Sequence, residues 1–111
     1  MLTPKHLYPR AYEEILADVL AVVRRQVPSD AVLPASRLLQ DLGIDGDDAA
    51  EVLDECVDTL GFDMSGLEWS KYFHSEPVDW VALLGRGGDK AELTVEHLAR
   101  CAHGGRWFEP K

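Results

Sequence analysis

Residues 45–61 constrain the fold most, with an acidic opening, an apolar stripe and a glycine stop. Asp45 has the side chain of a helix N-cap, and Asp47 and Asp48 follow in the first turn, where the helix dipole favours negative charge. Ala49, Val52, Leu53, Cys56, Val57 and Leu60 recur at steps of three and four and so share one face of a helix. Gly61 stands where a left-handed cap belongs, and Phe62 is placed to pack back onto the helix. An amphipathic helix of this kind must bury its apolar side, so other elements have to cover it.

Two further periodic segments can do so. Ile15, Leu16, Val19, Leu20, Val23 and Val27 form a stripe, with Glu13, Glu14, Asp18, Arg24 and Arg25 on the opposite face. This helix is expected to open at Pro9 or Arg10 and to end before Pro28, Ser29 and Asp30. A last helix over 94–102 is capped by Thr94, turns Val95, Leu98, Ala99 and Ala102 inward, and stops at Gly104-Gly105. Residues 29–44 carry Val32, Leu33, Leu38, Leu39, Leu42 and Ile44, too apolar a set for a free linker. They predict a long packed loop with a short helical turn over 36–41.

The remaining stretches are less periodic. Leu67, Trp69, Tyr72 and Phe73 crowd together without a period of two or 3.6, so a strand and a helical turn both fit residues 63–72, after a turn at Ser65-Gly66. Residues 78–84 read as a short helix ended by Gly85, and residues 85–89 as a flexible break. The expectation is one mainly α domain spanning 1–111: a bundle of three to four helices with long connecting loops and room for a short strand pair.

Composition narrows the function. Forty-six per cent of 111 residues are hydrophobic, enough for one packed core. The formal net charge of −9 repels phosphate backbones and anionic lipid, which argues against nucleic acid and membrane surfaces. Basic protein surfaces fit better. No apolar run is long enough to span a bilayer, and Met1-Leu2-Thr3-Pro4-Lys5-His6 lacks the layout of an export signal, so a cytoplasmic protein is expected.

The acids are concentrated. Between positions 41 and 63 there are nine carboxylates and no lysine or arginine. Asp41, Asp45, Asp47, Asp48, Glu51, Asp54, Glu55 and Asp58 form the expected partner-binding face. An ordinary solvated helix face is the alternative. Like charges three or four apart on a helix cost roughly 0.2–0.5 kcal/mol per pair, so a face without interspersed cations favours docking.

Other chemistry finds little support. With Asp41 as the first position of an EF-hand loop, Asp45 and Gly46 fall fifth and sixth, but Gly43 is third and Val52 twelfth, where a bidentate glutamate is required. His97 and Cys101 lie four apart with His103 close behind, while His6 and His74 are remote in sequence, so no four-ligand metal set emerges. Cys56 and Cys101 sit among apolar neighbours and read as buried thiols, with a disulfide between them as the alternative. The glycines of 85–88 lack the lysine of a phosphate-binding loop. No catalytic residue, cofactor or metal is expected, and the chain is not read as an enzyme. Trp69, Tyr72, Phe73, Trp80, Trp107 and Phe108 should be mostly core, with Trp107-Phe108 the best candidate for an exposed anchor.

Two separated motifs resemble acyl carrier proteins. One is Ser36-Arg37-Leu38 through Leu42-Gly43-Ile44-Asp45, leading into an acidic helix; the other is Leu93-Thr94-Val95-Glu96-His97-Leu98, similar to the opening of that family's last helix. The run from Asp41 to Asp48, with Asp63-Met64-Ser65-Gly66, Tyr72-Phe73 and Gly105-Arg106-Trp107, more closely resembles a small bacterial family of unknown function with an acyl-carrier-like build. The resemblance implies a single acyl-carrier-like helical bundle. Carriers bear phosphopantetheine on a serine at the position of Gly46, and usually a leucine at that of Asp47; both are missing. Ser65 follows the second helix instead of opening it, and reads as a turn serine bonding its own backbone. The expected role is a protein-interaction or regulatory module that cannot carry the arm at the usual position. The alternative is a genuine carrier of acyl or thioester cargo through an atypical site.

Overall fold

The computed structural model describes residues 11–27, 29–74 and 90–110. Within them the chain forms four helices: α1 (Tyr12–Arg24), α2 (Gly46–Leu60), a single turn α3 (Trp69–Tyr72) and α4 (Val95–Gly104). α1 packs against both α4 and α2, more extensively against α4. Val19, Val22 and Val23 of α1 meet Ala49, Val52 and Cys56 of α2 and Leu98, Ala99 and Cys101 of α4 in one buried core. The three apolar stripes visible in the sequence therefore face one another. Each fully buried valine or leucine contributes about 1.5–3 kcal/mol relative to exposure.

The helix ends follow from their side chains. Asp45 and Thr94 are N-caps of α2 and α4, and the Thr94 hydroxyl accepts from the His97 backbone N–H. Gly61 ends α2 with φ +70°, a conformation that costs other residues steric strain, and donates to the Val57 carbonyl. α4 runs two residues further than expected, because Gly104 stays helical and Gly105 takes the left-handed position. α1 is shorter. It ends at Arg24, and Arg25 and Gln26 close a tighter final turn on Val22 and Val23. Its expected opening at Pro9 or Arg10, and the expected helix over 78–84 with the break after it, lie outside the described residues.

The connection between α1 and α2 begins with a 3-10 turn, Ser29–Ala31. Arg24 reaches across to donate to the Val32 carbonyl at 3.0 Å. The Ser36 hydroxyl accepts from the Leu33 N–H at 2.9 Å, and residues 37–42 make the expected helical turn. Val32, Leu38 and Ile44 are buried. Leu33 departs from expectation at 60 % exposure: its backbone is tied to Ser36, which leaves the side chain outside.

This connection also completes α4. Arg37 and Thr94 form an isolated antiparallel bridge, with Leu38 N–H to Leu93 O at 2.9 Å. Val95 and Glu96 then donate to the carbonyls of Ser36 and Pro34. Together with the Thr94 cap, three donors of the first turn find partners that the helix itself cannot supply.

Residues 63–72 contain both alternatives in miniature. Asp63 forms a parallel bridge to Arg106, and α3 follows. Among the described residues, these two bridges are the whole of the β structure. Through the second, Asp63 accepts from Trp107 N–H at 2.7 Å and donates to Gly105 O at 3.1 Å. The C-terminal segment thereby becomes a strap across α4. Trp107 is buried against Tyr72 and His97, contrary to the exposed anchor expected of it, while Phe108 remains 45 % exposed.

Candidate functional site

Position 46, which the sequence resemblance aligns with a carrier's modified serine, opens α2. The backbone there is not that of an ordinary helical residue: Gly46 has φ +55°. A Cβ added at Gly46 would meet nothing within 4 Å, so any objection to a side chain is conformational rather than steric crowding.

Asp45 explains the geometry around it. Its Oδ1 accepts from the backbone N–H groups of Gly46 and His74, both at 2.8 Å. Its Oδ2 lies 2.5 Å from His74 Nδ1, which donates because the carboxylate accepts. The side chain is only 26 % exposed. Asp45 is thus a clasp joining the start of α2 to the segment after α3, its carboxylate engaged within the chain where the sequence had placed it on a partner-binding face. Nε2 of His74 is enclosed without a partner among the described residues.

The other seven acids divide. Asp41 is held by Arg37, which donates from Nε, Nη2 and its own backbone N–H at 2.8–3.0 Å. Those hydrogen bonds and the guanidinium charge hold the Asp41 carboxyl down at about 2. Arg37 also reaches Glu92 at 3.0 Å, so its charge is shared between two loops. Glu55 pairs with Arg25, the residue that caps the end of α1, and Glu51 accepts from Gln26 at 3.0 Å. Asp41 and Glu55 are neutralised locally and fall away as unpaired docking charges.

Asp47, Asp48, Asp54 and Asp58 are exposed and form no ion pair among the described residues. At about 100° per residue, Asp47, Glu51, Asp54 and Asp58 fall within about 60° of helix surface, with Asp48 to one side. The stripe lies opposite Ala49, Val52 and Cys56. A continuous anionic ridge therefore survives, narrower than the eight-residue face expected.

The thiols and histidines have structural places. Cys56 and Cys101 are free and buried. Burial pushes the Cys56 thiol up to about 12, and also raises Cys101. Neither is positioned as a thiolate nucleophile. His97 and Cys101, the pair at metal-ligand spacing, both grip the strap: His97 Nε2 lies 2.6 Å from the Phe108 carbonyl, and Cys101 Sγ accepts from the Phe108 N–H at 3.5 Å. At Ser65 the turn is present, but the Asp63 carboxylate accepts from the Ser65 N–H at 2.8 Å, which also lowers the Asp63 pKa.

Sequence reasoning missed the contributions of Arg25, Gln26 and His74 to the acidic site. Arg25 was legible only as a favourable charge at the end of α1, and nothing near it in the chain pointed to Glu55.

A family model described as a protein of unknown function (DUF1493) matches residues 11–109, nearly the whole chain, and the chain belongs to that family. No curated protein and no solved structure matches it. Among the described residues, no helix is long and apolar enough to cross a membrane.

Proposed function

We propose that this DUF1493 member is a carrier-like helical module that no longer carries: a small cytoplasmic adaptor or regulator whose α2 ridge docks a basic protein surface. The observation that supports it most is the set Asp47, Asp54 and Asp58, left without cations among the described residues while the neighbouring Asp41 and Glu55 are paired internally. Unpaired like charges along one helix are unfavourable for folding alone. They become useful when a partner supplies the cations, by steering encounter and fixing orientation.

The lack of a carrier's attachment chemistry supports the same reading. Gly46 offers no hydroxyl, and its left-handed backbone is ill suited to serine. Gly46→Ser is expected to destabilise the domain by about 1 kcal/mol, measured by denaturant unfolding. Intact mass after coexpression with a phosphopantetheinyl transferase should show no added arm on the unaltered chain. An arm on any serine would replace this reading with that of a genuine carrier.

Affinity capture from the native host tests the docking ridge. The unaltered chain should retain a basic protein, with recovery falling as salt rises beyond the roughly 10 Å screening regime near 0.1 M. Asp47→Lys, Asp54→Lys and Asp58→Lys together should abolish it, while Glu13→Lys with Glu68→Lys should not. Equal recovery with both variant sets would overturn the proposal.

A further inference from the structure

A cavity of about 400 Å³ lies away from the α2 ridge, between α3, the residues leading into α4, α4 itself and the strap. Its size falls within the range of small-molecule sites. Lys71, Tyr72, Glu92, Glu96, His97 and Arg100 line it, and no α2 acid does.

Two of these side chains are almost wholly buried yet have unused polar atoms. Tyr72 is 1 % exposed, and its hydroxyl forms no hydrogen bond among the described residues. His97 is 5 % exposed. The Phe108 carbonyl can only accept, so His97 Nε2 carries the hydrogen, and the neutral ring keeps its lone pair at Nδ1. No partner occupies that nitrogen among the described residues. Unlike Nε2 of His74 and Nε1 of Trp107, neither the Tyr72 hydroxyl nor His97 Nδ1 is sealed off. Buried polar atoms are ordinarily satisfied, so a donor and an acceptor held open along one cavity point to a ligand.

The charges indicate its class. Lys71 and Arg100 are balanced on the lining by Glu92 and Glu96, which disfavours a polyanion or a polycation. Lys71 is bound by Glu109 at 2.9 Å and Glu92 by Arg37 at 3.0 Å. Arg100 and Glu96 are more loosely joined, at 3.4 Å, and are the pair most readily exchanged for ligand charges. We propose that this cavity binds a small zwitterion of the amino-acid class. Its carboxylate meets Arg100 and the Tyr72 hydroxyl, and its ammonium meets Glu96 and His97 Nδ1. This site is independent of the docking ridge.

The test is a titration of the full ¹⁵N-labelled chain with each of the twenty free amino acids, read as amide shifts. At least one should give saturable shifts centred on Tyr72, Glu92, Glu96, His97 and Arg100. Its N-acetyl and carboxamide derivatives, each lacking one charge, should bind at least tenfold more weakly. Tyr72→Phe should weaken binding about fivefold and Arg100→Gln about tenfold, with each variant's spectrum confirming its fold. No saturable shift with any amino acid, or equal binding of a singly charged derivative, would overturn the proposal.

Discussion

Asp41 is clamped by Arg37 within one turn of chain, and this sets it apart from the proposed docking ridge despite its exposure. Its carboxyl stands at about 2, below the ordinary 3.8. A depressed folded-state pKa gives a contribution to stability that is present above the ordinary value. That contribution is lost as pH falls from about 4 towards about 2. A carboxyl-carbon NMR titration should therefore find Asp41 near 2, and Arg37→Met should return it towards 3.8. The eight acids were legible in the sequence as charges, but their pairing was only partly so. Arg37 is four residues from Asp41, whereas Arg25 meets Glu55, Gln26 meets Glu51 and His74 meets Asp45 across 25–30 residues. Local spacing cannot announce partners that only packing brings together.

At the scale of elements, α2 was readable because both of its ends are marked by residue type, the Asp45 carboxylate at one and the left-handed Gly61 at the other. α1 offered less: Ala11 precedes it without a side-chain cap, and its last residues leave the helix in a tightened turn. Gly61 gives the sharpest test of an end. A Cβ there would meet nothing within 4 Å, so Gly61→Ala isolates the backbone effect of φ +70°. It should lower unfolding free energy by about 1 kcal/mol in urea, with an unchanged m-value. The connection over 29–44 was legible as packed, since Val32, Leu38 and Ile44 are too apolar to leave in water. Its pairing with the start of α4 was not, because the Arg37–Thr94 bridge joins residues far apart in the chain.

For the molecule as a whole, the mainly helical architecture followed from three amphipathic stripes that had to cover one another. The strap was the part least visible. Arg106-Trp107-Phe108 carries no period, and only the fold brings it beside Asp63, His97 and Cys101. Trp107 closes that side of the core between Tyr72 and His97. Trp107→Ala should cost about 3 kcal/mol by denaturant unfolding, a large share of a small domain's stability. Loss of well under 1 kcal/mol would show the strap to be an accessory to the bundle.

The ridge and the cavity lie on different parts of this framework, so either can fail without the other. For the ridge, the most direct measurement is a charge swap with the basic partner retained by affinity capture. Asp54→Lys should abolish the complex, and converting the partner's facing lysine or arginine to glutamate should restore it with the variant and abolish it with the unaltered chain. Binding indifferent to Asp54→Lys, or no basic partner retained at low salt, would contradict the account.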